Sequence, residues 1–309
     1  MKLTRGLHNI STQPKPSAVT IGNFDGVHKG HQEIIKHLTD KANQLSLHSV
    51  LVSFSPTPEQ FFGRNHALLS NFREKHQLLS QTNLDENLLI RFNQSFSKLS
   101  AEAFVEKILV QSLNVRYCLI GDDFRFGKNR QGDYALLKKL ADKYNFIVEN
   151  VNSIKSGEVR ISSSSIRSTL ANGDFKKACH FLGREYFIAG RIVHGDKKGR
   201  TIGFPTINIP IKRKISPVQG VFAVIASVKN AQYFGVCNVG KRPTVGGDKT
   251  RLEVFLFDFN QDVYGETAKI VFKYRIRDEK KFDSFDMLKN QINEDVLKAK
   301  NYFSLEAAK

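Results

Sequence analysis

The chain has 309 residues, 40% of them apolar, which suits two globular domains better than one. Its formal net charge of +17 favours anionic ligands, but the excess is even, with 24 Lys and Arg against 16 Asp and Glu up to Gly183 and 23 against 14 beyond. No basic tail, membrane-length apolar run or signal-like N-terminus is present, so neither nucleic acid nor a membrane is the expected partner. Cys118, Cys179 and Cys237 show no metal-ligand spacing and read as reduced thiols in a cytoplasmic protein.

In chain order, Ser17–Ile21 reads as a strand, His31–Gln44 as an amphipathic helix and Ser49–Phe54 as a strand. Glu102–Leu109 follows as a helix, Arg116–Gly121 as a strand, Tyr134–Tyr144 as a helix and Phe146–Val151 as a strand. Such alternation predicts an α/β domain, a parallel sheet covered by helices with ligands at the carboxyl ends of its strands. A helix over Phe175–Leu182 ends at Gly183. Beyond it, Tyr186–Val193, Val221–Val228, Gln232–Val239, Arg251–Asp258 and Ala268–Tyr274 predict a small antiparallel β-barrel. A closing helix starts near Ser284, with Phe285, Leu288, Ile292, Val296 and Phe303 on one core-facing stripe. The expected domains are therefore 1–183 and 184–309.

Four segments carry chemistry. Gly22-Asn23-Phe24-Asp25-Gly26-Val27-His28-Lys29-Gly30-His31 joins a strand to a helix through a glycine turn. It sets two imidazoles where free backbone N–H groups already favour an anion, as a polyphosphate site requires. Ile161 to Arg167 opens a helix with Ser162, Ser163, Ser164 and Ser165, and hydroxyls, N–H groups and the Arg167 guanidinium make a second anion site. From Gly195 to Asn208, glycines 195, 199 and 203 precede an extended segment on which Thr206 and Asn208 point the same way, hard oxygen ligands suited to Mg²⁺. Strand alternation puts Glu253 on one face with Phe255, Phe257 and Phe259. A carboxylate beside aromatic rings is costly to bury unless it is paired or used as a base.

The first two segments resemble the His-x-Gly-His class of nucleotidyltransferases, through His28-Lys29-Gly30-His31 and Ile161 to Arg167. Gly121-Asp122-Asp123-Phe124-Arg125-Phe126-Gly127 resembles the flavin-side loop of bacterial FAD synthetases. The resemblance implies a Rossmann-like domain that transfers AMP from ATP to FMN. In it His28 and His31 would be catalytic, and Gly22, Asn23, Phe24, Asp25, Ser163, Ser164 and Arg167 would bind ATP. Asp123, Phe124 and Phe126 would line the flavin site. One departure is Pro56-Thr57-Pro58, where the family carries a histidine between the prolines. The second half is similar to bacterial riboflavin kinase, through Gly203-Phe204-Pro205-Thr206-Ile207-Asn208, Asn238-Val239-Gly240, Leu252-Glu253-Val254, Asp262-Val263-Tyr264-Gly265 and Ile276-Arg277-Asp278. That likeness implies Glu253 as the base for the riboflavin 5′-hydroxyl and Thr206 and Asn208 as the Mg²⁺ ligands. It also implies Gly195, Gly199 and Gly203 around the ATP phosphates and Arg277 near the flavin. Together the two resemblances imply an enzyme that makes FMN and then FAD. Two other readings explain less: an adenylyltransferase of another nucleotide class leaves the second half idle, and a basic RNA- or DNA-binding protein leaves both sets of motifs idle.

Overall fold

The computed structural model describes residues 1–64, 66–151, 155–156, 159–195, 203–242 and 249–307. The chain divides into two compact units, Met1–His66 with Lys75–Ser162, and Ala67–Glu74 with Ser163–Lys309.

The first unit holds strands β1 (Lys2–Arg5), β2 (Ser17–Ile21), β3 (His48–Phe54), β4 (Glu86–Ile90), β5 (Val115–Gly121) and β6 (Ile147–Val151). They form one parallel sheet in the order β1-β4-β3-β2-β5-β6. All five residues of β2 are buried, as expected of a central strand covered on both faces. Helix α1 (Lys29–Gln44) turns Ile35, Leu38 and Ala42 inward. The next helices are α2 (Pro58–Phe61), α3 (Phe72–Leu79), α4 (Gln94–Ser97) and α5 (Ala101–Phe104). The chain then runs on as a π-helical stretch over Val105–Ser112, before α6 (Tyr134–Tyr144) and a small hairpin of β7 (Lys155–Ser156) and β8 (Val159–Arg160). Strand order reverses at β2, which has β3 on one side and β5 on the other. A doubly wound sheet opens a ligand crevice at such a switch point.

The second unit contains α7 (Ser163–Ala171), α8 (Phe175–Leu182) and strands β9 (Phe187–Arg191), β10 (Thr206–Pro210), β11 (Gly220–Val228), β12 (Ala231–Arg242), β13 (Lys249–Leu256) and β14 (Thr267–Arg277). The strands pair antiparallel in the order β10-β13-β12-β11-β14-β9. An antiparallel bridge between Val193, just past β9, and Asn208 of β10 joins the two edges into a near-barrel. Phe175 of α8 packs on Phe222 and Phe272, with ring centroids 5.7 and 6.0 Å away. That contact is why α8 belongs with the barrel: the geometric division falls at Ser162, ahead of the expected one at Gly183. Helix α9 (Phe285–Ala307) lays Ala299 and Phe303 against Val221, Ala223, Val236 and Phe257.

Residues 67–74 bring a buried ion pair to this unit. The Glu74 carboxylate accepts from Arg213 Nη2 and from the Ala189 N–H at 2.8 Å, and Arg213 Nη1 donates to the Tyr186 hydroxyl at 2.7 Å. The two charged side chains are 3% and 0% exposed.

Three expectations need correcting. Phe285 is 62% exposed, so the core stripe of the closing helix starts a few turns later than its sequence pattern implies. β13 stops at Leu256, and Asp258 turns the chain at φ 51°, which takes Phe259 away from the Glu253 face to meet Tyr233 at 4.8 Å. The helix read over Glu102–Leu109 is α-helical only to Phe104.

Candidate active sites

In the first unit, β2 ends in a turn that no regular element allows. Phe24, Gly26 and Val27 all take positive φ, at 48°, 80° and 41°. For a β-branched residue that is a strained conformation, and such strain persists only where the surroundings enforce it. Here they do. Asn23 donates through Nδ2 to Glu59 Oε2 at 2.9 Å, Gln32 Nε2 donates to the Val27 carbonyl at 2.8 Å, and Lys75 Nζ donates to the Asn23 carbonyl at 2.9 Å.

The turn delivers His28 to the N-cap of α1, where its Nδ1 accepts from the His31 N–H at 3.4 Å. A neutral imidazole that accepts at Nδ1 carries its proton on Nε2, which is then a donor. The rings of Phe24, His31 and His28 stack in that order, with centroids 4.6 and 3.6 Å apart. Gly30 makes the stack possible, since a Cβ there would lie 3.2 Å from the His28 ring. Asp25 and His28 are buried, at 7% and 5% exposure. The sequence therefore brings Gly22, Asn23, Phe24, Asp25, His28 and His31 together at the carboxyl end of β2. Thr57 has a local duty: its hydroxyl accepts from the Gln60 N–H at 3.3 Å and caps α2.

The Gly121–Gly127 loop also lies at a strand end. Phe124 and Phe126 stack on each other at 5.4 Å, Phe126 in the core at 7% exposure and Phe124 partly covered. Asp122 and Asp123 both bind Arg160 Nη2, at 3.1 and 3.0 Å. The sequence reading missed the phenylalanines that continue from this pair. Phe104 lies 5.7 Å from Phe126, Phe96 lies 6.2 Å from Phe104, and Phe92 and Phe54 lie 5.5 and 5.7 Å from Phe96. Phe61 and Phe62 complete the series against Phe92. Seven phenylalanines from residue 54 to residue 104, six of them in this series, were the available signal.

In the second unit, Ser163 and Ser164 open α7, and Arg167 Nη1 donates to the Ser164 hydroxyl at 3.3 Å. On the barrel, register places Asn208 directly opposite Glu253, with Thr206 opposite Phe255. Directly opposed residues of an antiparallel pair share a face, about 4.5–5.5 Å apart at Cβ. Asn208 is buried at 6%, and its Nδ2 donates to the Thr206 carbonyl at 3.3 Å. Gly195 leaves it room: a Cβ there would come within 2.6 Å of the amide oxygen. Gly203 sits at φ 88° with open space around it, while Gly199 lies outside the described residues. A hydroxyl and a carboxamide oxygen on one face, in a cradle that any side chain at 195 would fill, form a donor set that fits Mg²⁺. Arg277 is committed to the Asp295 carboxylate of α9, with both oxygens at 3.0 Å from Nε and one at 2.8 Å from Nη2. His194, unnoticed in the sequence, packs its ring against Tyr264 with centroids 3.8 Å apart and planes tilted by 32°, beside the glycine segment.

Two family models match this chain, FAD synthetase over residues 10–165 and riboflavin kinase over 182–303. The bifunctional riboflavin kinase/FMN adenylyltransferase of Haemophilus influenzae is 45% identical over 98% of this chain and 100% of its own length. The chain belongs to the bifunctional riboflavin kinase/FMN adenylyltransferase family. The Escherichia coli K12 protein of the same description is 42% identical, covering 99% of both chains. Among solved structures, one titled as a macrolide-efflux protein from Streptococcus pneumoniae matches with TM-score 0.79 and 32% identity over 96% of this chain and 97% of that one. Among the described residues no helix is long and apolar enough to cross a membrane.

Proposed function

We propose a division of labour at residue level for the two activities of this family, phosphorylation of riboflavin to FMN and adenylylation of FMN to FAD. What carries the reading is that each unit builds its own polar site, the first at the end of β2 and the second across the paired strands β10 and β13. One is the Phe24–His31–His28 stack on a strained turn, and the other is Glu253 in register with Asn208.

In the adenylyltransferase a phosphate oxygen of FMN attacks the α-phosphorus of ATP, the bond to the β-phosphate oxygen breaks, and pyrophosphate leaves. The required catalysis is positioning and neutralisation of charge. His28 donates from Nε2 to the anion that forms, and His31 packs against it and fixes its orientation. Backbone N–H groups of the turn after Gly22 and of Lys29 and Gly30 at the start of α1 donate to phosphate oxygens. By family likeness Ser163, Ser164 and Arg167 hold the terminal phosphates. Phe124, backed by Phe126, walls the isoalloxazine, and Asp123 is held by Arg160 at its edge.

In the kinase, Glu253 takes the proton of the riboflavin 5′-hydroxyl, whose oxygen attacks the γ-phosphorus while ADP leaves. Thr206 and Asn208 would hold Mg²⁺, which when bound neutralises charge on the phosphates. Gly195, Gly199 and Gly203 let the backbone approach those phosphates. Arg277, fixed by Asp295, keeps its end of β14 in place beside the flavin rather than pairing with it. The functional division stays near Gly183, and the partners are small molecules of the cytoplasm rather than nucleic acid.

Two variants test the assignment. His28→Ala with His31→Ala should abolish FAD formation from FMN and leave FMN formation from riboflavin. Glu253→Gln should do the reverse. Chromatography of flavin products reads both, and loss of both steps in either variant overturns separate sites.

A further inference from the structure

We propose that Asn238 is a further substrate-binding residue of the kinase site, accepting a hydrogen bond from a secondary hydroxyl of the polyol chain whose terminal hydroxyl is phosphorylated. The inference rests on the kinase reading of Glu253 and adds to it.

Three polar residues form a row across neighbouring strands. Asn208 of β10 is opposite Glu253 of β13, and Glu253 is opposite Asn238 of β12. The row continues to Val221 of β11 and Arg277 of β14. Register puts all five on one face of the sheet. The two ends are satisfied: Asn208 by the Thr206 carbonyl, Arg277 by Asp295. The middle is not. Among the described residues Glu253 makes no side-chain hydrogen bond or ion pair, and the buried Oδ1 of Asn238 has no partner.

A buried acceptor left without a donor costs roughly 1–3 kcal/mol, so its place beside the base implies a donor that arrives with the ligand. Two groups at cross-strand distance suit two hydroxyls on adjacent or near-adjacent carbons of one chain. Glu253 accepts from the reacting alcohol and Asn238 from a neighbour. The chemistry recognised is thus a vicinal polyol rather than a simple primary alcohol. Space next to Asn238 is preserved by Gly240, where a Cβ would lie 3.3 Å from the Asn238 amide nitrogen and would collide with the Glu279 carboxylate.

The test pairs Asn238→Ala with two substrates, riboflavin and a flavin carrying a plain 5-hydroxypentyl chain, which keeps the terminal hydroxyl and lacks the secondary ones. The expected result is a KM for riboflavin raised about tenfold, the worth of one hydrogen bond, with kcat within about twofold. On the hydroxypentyl flavin the variant and the parent should behave alike, because the missing partner is then absent from both. Equal KM on riboflavin overturns the proposal. So does an equal loss of kcat on both substrates, which would make Asn238 a support for Glu253 instead. Conversion of supplied FMN to FAD by the same variant reports folding. If that too is lost, Asn238→Ser, which keeps an acceptor, is run instead: preference for riboflavin over the hydroxypentyl flavin must persist, and its loss overturns the proposal. A parent protein that fails to phosphorylate riboflavin refutes the kinase reading itself, a result distinct from all of these.

Discussion

Lys75 Nζ donates to the main-chain carbonyl of Asn23 at 2.9 Å, from a side chain almost wholly buried beside Asp25. Desolvation pulls the Lys75 pKa below its ordinary value, and the Asp25 charge partly restores it. A buried ammonium is tolerated here because the turn supplies a carbonyl and a carboxylate. Lys75→Met should therefore relax the strained turn and slow FAD formation about a hundredfold, the cost of a small misplacement of reacting groups. Riboflavin phosphorylation should be unchanged, and Lys75→Arg should recover part of the rate. Initial rates of both steps in one preparation decide it.

Breaking the Glu74–Arg213 pair should be expensive. Removing one partner leaves an uncompensated charge in the interior, so Glu74→Ala should cost about 3–5 kcal/mol in denaturant unfolding. The double replacement Glu74→Leu with Arg213→Met, which removes both charges of the pair, should cost less, the remainder reflecting the Glu74 charge that Arg184 also loses. Equal losses would mean that packing, not charge, is at stake.

Acid stability should report on β4. A hydrogen bond from His48, 3.1 Å away, holds the Glu86 carboxyl below its usual 4.5 against the opposing effect of burial. A depressed carboxylate pKa stabilises the native state above 4.5, and that contribution is lost as pH falls through the lowered value. His48→Ala should be less stable near neutrality, and its deficit should shrink below that value. Melting temperatures across pH ~3 to 7 would show a constant gap if the pair did not matter.

Thiol chemistry offers a simple check on the core. Burial pushes Cys118 up to about 12 and Cys237 well above the usual thiol range, while Cys179 is partly exposed. In the native protein one thiol should react quickly with a disulfide reagent, and Cys179→Ser should remove it. Fast labelling of Cys118 would contradict its position in the sheet.

Elements with a strong period and a clear stop were legible in the sequence. Ser17–Ile21, Tyr134–Tyr144 and Phe175–Leu182 appear as expected because a capping aspartate starts each helix, and a glycine or an asparagine in the left-handed region ends each apolar pattern. β1 and β4 escaped because edge and near-edge strands of mixed composition, such as Glu86–Ile90, carry little alternation. α3 escaped because its charges, Glu74 and Lys75, look like surface residues and are both buried. At the sites, residue type and strand parity were enough to pair Asn208 with Glu253 in principle. Which strands become neighbours is a matter of topology, so Asn238 joined that row only in three dimensions.

Glu74 precedes the barrel in the chain by more than a hundred positions, yet it answers the guanidinium of Arg213 inside that barrel. A gene fragment starting at Arg184 would thus express every strand of the kinase and omit its buried counter-ion. Such a fragment should be helped by neutralising position 213, or by adding a peptide that spans residues 67–74.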